Sequence, residues 1–170
     1  MLIVSSLADA LDAYARFKPS RVISLLSDEE GEAVPEFPGL PPERHLTLCV
    51  DCESSASSIN AAARARAAKI IDFAKDSGGG CNMLIHCNRG VSRSTAAAFI
   101  VLCMREPETP ERALLARIRA AAPHADPCPL LINYADEFLG RDGRMIDAVD
   151  DLSPPSAAIP APLATVKVAA

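Results

Sequence analysis

Residues 81–104 read CNMLIHCNRGVSRSTAAAFIVLCM, and the fold turns on how this stretch divides. Its first part, CNMLIH, is an apolar run with the length of a buried strand. A short loop follows from Cys87, with Gly90 inside it. From Val91 or Ser92 onward the chain is apolar on every side, which predicts a buried central helix. Strand, tight loop and buried helix together make one unit of an α/β fold.

Working outward, Gly78-Gly79-Gly80 stops the preceding helix. That helix is predicted over INAAARARAAKIIDFAKDS (59–77), with the serines of 54–58 as N-caps. Ile59, Ala63, Ala67, Ile70 and Ala74 line one of its faces, with Arg64 and Lys75 elsewhere. Before it, HLTLCV (45–50) predicts a strand that ends at Asp51. Strand, helix and strand here have the length of a parallel right-handed crossover, so both strands finish at one edge of the sheet. Ligands of open α/β sheets bind at that carboxyl edge. Asp51 and Cys87 should therefore emerge side by side.

Two more strands are predicted, MLIVS (1–5) and RVISLL (21–26). A helix between them would place Leu7, Leu11, Tyr14 and Phe17 on one face. The stretch 27–44, rich in Pro, Gly and acids, reads as a loop. Thr109-Pro110-Glu111 is an N-cap, a Pro at the first helical position and an acid near the positive helix end; the helix it opens runs to Ala122. A last helix covers 130–139 and closes at Gly140. The expected fold is α/β: a central, mostly parallel sheet of about four to five strands flanked by helices, with the loop of Cys87 between the last strand and the central helix. Residues 1–148 form one domain. Residues 149–170 turn Pro/Ala-rich without a period and read as a disordered tail, or as a linker to a partner.

The formal charge is −5, which gives no electrostatic argument for nucleic acid or an anionic membrane surface. No stretch approaches the ~18 apolar residues of a bilayer span, and no signal peptide is recognisable, so a cytoplasmic location is expected. Oligomeric state is not legible. The chain has six cysteines, expected to be mostly reduced in that compartment. Cys49 and Cys52 make a lone CxxC without the second ligand pair of a zinc site, and it ends a strand instead of opening a helix. His45 and His124 read as surface or capping residues.

Cys87 and Arg93, with five residues between them, would mean little alone. His86 before the Cys, Gly90 three after it and Ser94 directly after the Arg make the pattern specific. The physics explains the spacing. Asn88, Arg89, Gly90, Val91 and Ser92 can wrap with their N–H groups inward as an anion nest, and the following helix points its positive end at the same spot. Arg93 can return from the first turn to hold a phosphoryl group through two parallel hydrogen bonds. A sulfur in that field favours the thiolate, which is the nucleophilic form.

HCNRGVSRST resembles the HCxxGxxR[S/T] signature of the cysteine-based protein tyrosine phosphatase superfamily, and within it the small dual-specificity-like phosphatases, including bacterial members. The resemblance covers most of 1–140 and extends to TPERALLARIRAAAP (109–123). Cys128, in DPCP, departs from it where relatives often carry Asn. The resemblance implies a phosphatase domain over 1–148 and phosphomonoester hydrolysis through a cysteinyl-phosphate. Cys87 would be the nucleophile and Arg93 the phosphate clamp. Ser94 would help the thiolate leave, His86 would brace the loop, and neither metal nor cofactor is implied. The general acid would be Asp51, with Glu53 as the nearby rival; Asp28 and Glu29 also follow a strand, whereas Asp72 and Asp76 are poorly placed. The partner would be a phosphorylated protein or a small phosphomonoester. Acids in 28–44 argue against polyanionic substrates. Arg89 reads as a loop residue or as a contact to a second phosphate, and Cys52 as an unpaired thiol or a redox partner of Cys87. A phosphate-recognising module without turnover and a phosphoinositide or inositol phosphate phosphatase stand as alternatives, with a sulfur transferase further off.

Overall fold

The four apolar segments are strands, and they are parallel. Leu2–Ser6 (β1), Arg21–Leu26 (β2), His45–Cys49 (β3) and Met83–Cys87 (β4) pair in the order β3-β2-β4-β1. Val4 lies opposite Ile85, Ile85 opposite Ile23, and Ile23 opposite Leu46. β1 and β4 are buried along their whole length, as strands of a parallel sheet covered on both faces must be. The computed structural model describes residues 1–27, 33–50, 57–76, 81–156 and 161–168.

Ser57–Lys75 (α2), Arg93–Arg105 (α3), Glu111–Ala121 (α4), Pro129–Leu139 (α5) and Arg144–Asp150 (α6) build the larger layer. Their buried side chains merge with Leu2, Val4, Ile23, Leu25, Ile85 and Cys87 in one core. α3 is buried without interruption from Ser94 to Cys103, which is why it is apolar on all sides. The opposite face of the sheet carries Ile3, Val22 and Leu84, covered by Ala10–Phe17 (α1) and Phe37. Adjacent strand residues point to opposite faces, so Cys87 looks toward α3 while His86 looks toward the α1 side.

The α/β class and the mostly parallel sheet agree with the sequence reading; several local expectations do not. α1 begins at Ala10, and its buried residues are Ala10 and Ala13, with Tyr14 and Phe17 packed beside them. Leu11 is 49% exposed and does not join that buried face. Thr109 does not cap α4: its hydroxyl donates to Glu106 Oε2. α6 had no counterpart in the sequence reading. The largest difference lies in the segment expected to be unstructured. Ala164–Val166 (β5) pairs antiparallel with β1, placing Ala164 opposite Val4 and Val166 opposite Leu2. Ala161, Ala164 and Val166 are buried while Thr165 faces out, an alternation too short to stand out among prolines and alanines.

Candidate active site

β4 ends at Cys87, level with Ser6 on β1 and Leu25 on β2. The side chain is 2% exposed. The Gly90 amide donates to Cys87 Sγ at 3.3 Å, and Ser94 Oγ lies 3.2 Å from the same sulfur. Residues 88–92 thus curl back over the thiol and lead into the N-terminus of α3. Gly90 is required twice over. Its φ is +73°, and a Cβ there would lie 2.9 Å from Ser5 C and Ser6 N. The loop rests directly on the end of β1.

Backbone bonds pin the loop from outside. Leu7 N donates to Asn88 O at 3.0 Å and Asp126 N to Val91 O at 3.0 Å. Cys128 N reaches Ser92 O at 3.3 Å. Thr95 Oγ1 donates to Val91 O and Ser92 O, at 2.5 and 3.0 Å. Arg93 stands half-buried in the first turn of α3, and its Nη1 donates to Val50 O at 3.5 Å. Val50 N in turn donates to Leu26 O, so Arg93 faces the edge at which β2 and β3 end. Arg89 is the exposed member of the loop. A sulfur that accepts from the Gly90 amide and touches the Ser94 hydroxyl, at a helix N-terminus whose first residue is Arg93, can meet an anion and deliver an electron pair to it.

His86 lies beneath the loop with no exposure. Its Nε2 is 2.6 Å from Ser24 Oγ, and Ser24 Oγ is 2.8 Å from His45 Nε2. The Phe37 ring packs edge-on against both imidazoles. Burial first, and His45 second, pull His86 down to about 4, so it is neutral near pH 7. Stabilisation of a thiolate therefore falls to the amides, Ser94 and the helix end. Burial also holds His45 below its ordinary value.

Cys87, Arg93, Ser94, His86 and the loop 88–92 are brought together. Asp51, Glu53, Asp28, Glu29 and Cys52 lie outside the described residues. Asp72 and Asp76 sit at the end of α2, where Arg21 at the start of β2 donates to Asp76 O, at the edge opposite the loop. Cys87 and Cys103 are free thiols, whereas Cys128 is disulfide-bonded. Two histidines need correction. His124 is 2% exposed, not a surface residue, and neither ring nitrogen has a hydrogen-bond partner of good geometry. Burial lowers its basicity, and the nearby Gly90 carbonyl offsets part of that effect. His45 is only half-exposed and belongs to the polar chain under the loop. The one signal for that chain was Ser24, a serine inside the apolar strand β2.

No protein-family model matches the chain, and no curated protein matches it. Solved structures do. DUSP15 aligns with a TM-score of 0.61 at 21% identity, covering 89% of this chain and 92% of that one. A human tyrosine phosphatase-like serine/threonine/tyrosine-interacting protein aligns at 0.63 with 17% identity, covering 83% and 92%. The chain has the fold of the dual-specificity phosphatases. PTPMT1 in complex with PI(5)P shares that fold at 0.61 and 14% identity, covering 83% of this chain and 91% of its own. Within the dual-specificity phosphatase fold, the thiol loop here occupies the link from β4 to α3. No described helix is long and apolar enough to cross a membrane.

Proposed function

We propose that the chain is a cysteine-dependent phosphomonoesterase of the protein-tyrosine or dual-specificity type. The observation that carries this reading is Cys87 Sγ held by the Gly90 amide and the Ser94 hydroxyl at the N-terminus of α3, of which Arg93 is the first residue. Cys87 attacks phosphorus. An S–P bond forms, the ester P–O bond breaks, and the leaving oxygen takes a proton from Asp51. The amides of 88–92 and Arg93 neutralise the equatorial oxygens throughout. Water then attacks the cysteinyl-phosphate and gives its proton to the Asp51 carboxylate. The S–P electron pair returns to sulfur, where Ser94 donates its hydrogen bond. His86, neutral and facing the other side of β4, supplies no proton.

The test is hydrolysis of a generic aryl phosphate. Wild type should turn over in a vanadate-sensitive way, and Cys87→Ser should not. Absence of Cys87-dependent hydrolysis would leave a phosphate-recognising module in place of an enzyme. Asp51→Asn should lower kcat by about 10²–10⁴-fold and remove the basic limb of its pH profile. If Glu53→Gln does this instead, the acid is Glu53. We further propose a phosphoprotein substrate over a polyanionic one, on the ground that 28–36 carries Asp28, Glu29, Glu30, Glu32 and Glu36. A panel of phosphotyrosine peptide, phosphothreonine peptide, phosphoinositide and inositol phosphate checks it; preference for the last two would reverse that choice.

A further inference from the structure

The polar chain under the loop has too few protons for all its acceptors. Ser24 Oγ carries one hydrogen and touches two imidazole nitrogens, His86 Nε2 and His45 Nε2. When both rings are neutral, a consistent set of bonds has one ring donating to Ser24 and Ser24 donating to the other. The buried Nδ1 of His86 has no partner. An unshared electron pair there costs less than an unbonded N–H, so the proton sits on Nε2. His86 then donates to Ser24, and Ser24 donates to His45.

Protonating His45 breaks this order. Its Nε2 becomes a donor, and the Ser24 hydrogen loses its acceptor. Moving the His86 proton from Nε2 to Nδ1 restores an acceptor for Ser24. Ser5 lies directly opposite His86 in the sheet, and its buried hydroxyl, like Nδ1 itself, bonds nothing in the present arrangement; a turn of the Ser5 side chain toward Nδ1 would supply the acceptor the new N–H needs. Ser5 is the residue on whose backbone Gly90 rests, and the Gly90 amide donates to Cys87 Sγ. Neighbouring residues thus run from the imidazole on β3 to the thiol, bonded from His45 through Ser24 to His86 and adjacent in the sheet from His86 to Ser5.

We propose that His45 is a positioning residue of this site: through the single Ser24 hydroxyl it decides which nitrogen of His86 carries the proton, and by that the setting of Ser5 and Gly90 under Cys87. Other groups facing the pair are the Phe37 ring and the Thr47 hydroxyl, 3.4 Å from His45 Nε2. On the α1 side, Tyr14 bonds Pro38 O and Asp9 accepts from Ser6 Oγ; Cys87 lies across β4. Among the described residues, His45 is the titratable neighbour that acts on His86. The proposal rests on the thiol loop read above, yet its test does not need turnover.

The chain has three histidines, so a ¹⁵N-histidine sample of the full chain gives three assignable rings. Long-range ¹H–¹⁵N spectra should show His86 with its proton on Nε2 near pH 8, moving to Nδ1 in step with protonation of His45. His124 lies near the Gly90 carbonyl, so its own titration is followed in the same spectra and the alkylation inflection is assigned to whichever ring it tracks; an inflection that follows His124 overturns the proposal. The Cys87 alkylation rate by iodoacetamide should show a second inflection that follows His45. His45→Gln can bond Ser24 but not titrate, and should hold the Nε2 form of His86 throughout and lose that inflection. The two proteins should then differ on the order of tenfold in alkylation rate at the acid end. A His86 tautomer that stays unchanged while His45 titrates overturns the proposal, and the wild-type spectra alone decide this if the variant does not fold. Coupled histidines in a protein with no phosphatase activity would sink the proposed function and leave this inference standing.

Discussion

At the scale of single residues, Gly90 is the most constrained position of the loop. Gly90→Ala combines a left-handed backbone with a Cβ 2.9 Å from two backbone atoms of β1, which cannot swing aside. Gly39→Ala shares the first penalty, at φ +77°, but has open space around its Cβ. Denaturant unfolding should give a loss of about 1 kcal/mol for Gly39→Ala and about 3 kcal/mol or more for Gly90→Ala. Equal losses would contradict the close approach of the loop to Ser5. His86 sets a pH dependence whose sign can be worked out. In the unfolded chain it binds a proton at its ordinary value of 6.5, and in the fold only at about 4. Between those values the unfolded state holds more protons, so stability rises with pH there. This term is level above about 6.5 and removes stability as pH falls toward about 4, by roughly 3 kcal/mol in full. Urea unfolding at several pH values checks it: His86→Asn should flatten the slope, and an unchanged slope would exclude His86 as its source.

At the scale of elements, the join between α5 and α6 is held by a buried carboxylate. Asp136, 4% exposed, accepts from Gly143 N at 2.7 Å and Met145 N at 2.9 Å, satisfying orphan amides at the start of α6. Beside it, the buried Arg141 guanidinium donates to the Cys103 carbonyl at the end of α3, to Pro107 O and to Glu111 Oε1. Glu111 also accepts from Arg144, the first residue of α6. These bonds tie the far ends of α3, α4 and α6 together. Asp136→Ala should cost about 2–3 kcal/mol, since hydrogen bonds to a buried charged group are lost and two amides go unpaired. Alkylation of Cys87 should be unaffected, because the loop lies at the other end of α3. A change in thiol reactivity equal to that of Gly90→Ala would show the two ends to be coupled. The same paired ends account for what the sequence reading missed here: α6 is too short to have a recognisable period, and its cap is supplied by another helix.

At the scale of the whole molecule, β5 returns from the end of the chain to cover β1. Arg117 Nη1 donates to Lys167 O and Arg119 Nη1 to Ser153 O, so α4 guides the segment back to the sheet. Removing residues from 153 onward should uncover the edge of β1 and the cavity left by Ala164 and Val166. We expect a loss of about 2–4 kcal/mol in unfolding free energy and concentration-dependent association in size-exclusion chromatography. A truncated chain as stable and monodisperse as the full one would reduce β5 to decoration. Much of this protein was legible without coordinates. The thiol loop was, because strand, Gly and helix start are contiguous and each obeys a local rule. The parallel crossover was, because its periods and length leave few alternatives. The strand in the tail, the cap of α6 and the partners of His86 were not. Ser24 stands 62 residues from His86 and 21 from His45, and nothing in the intervening chain marks them as neighbours. Backbone shape is written in adjacent residues, whereas the partner of a buried polar atom is chosen by the register of strands that meet only after the chain has folded.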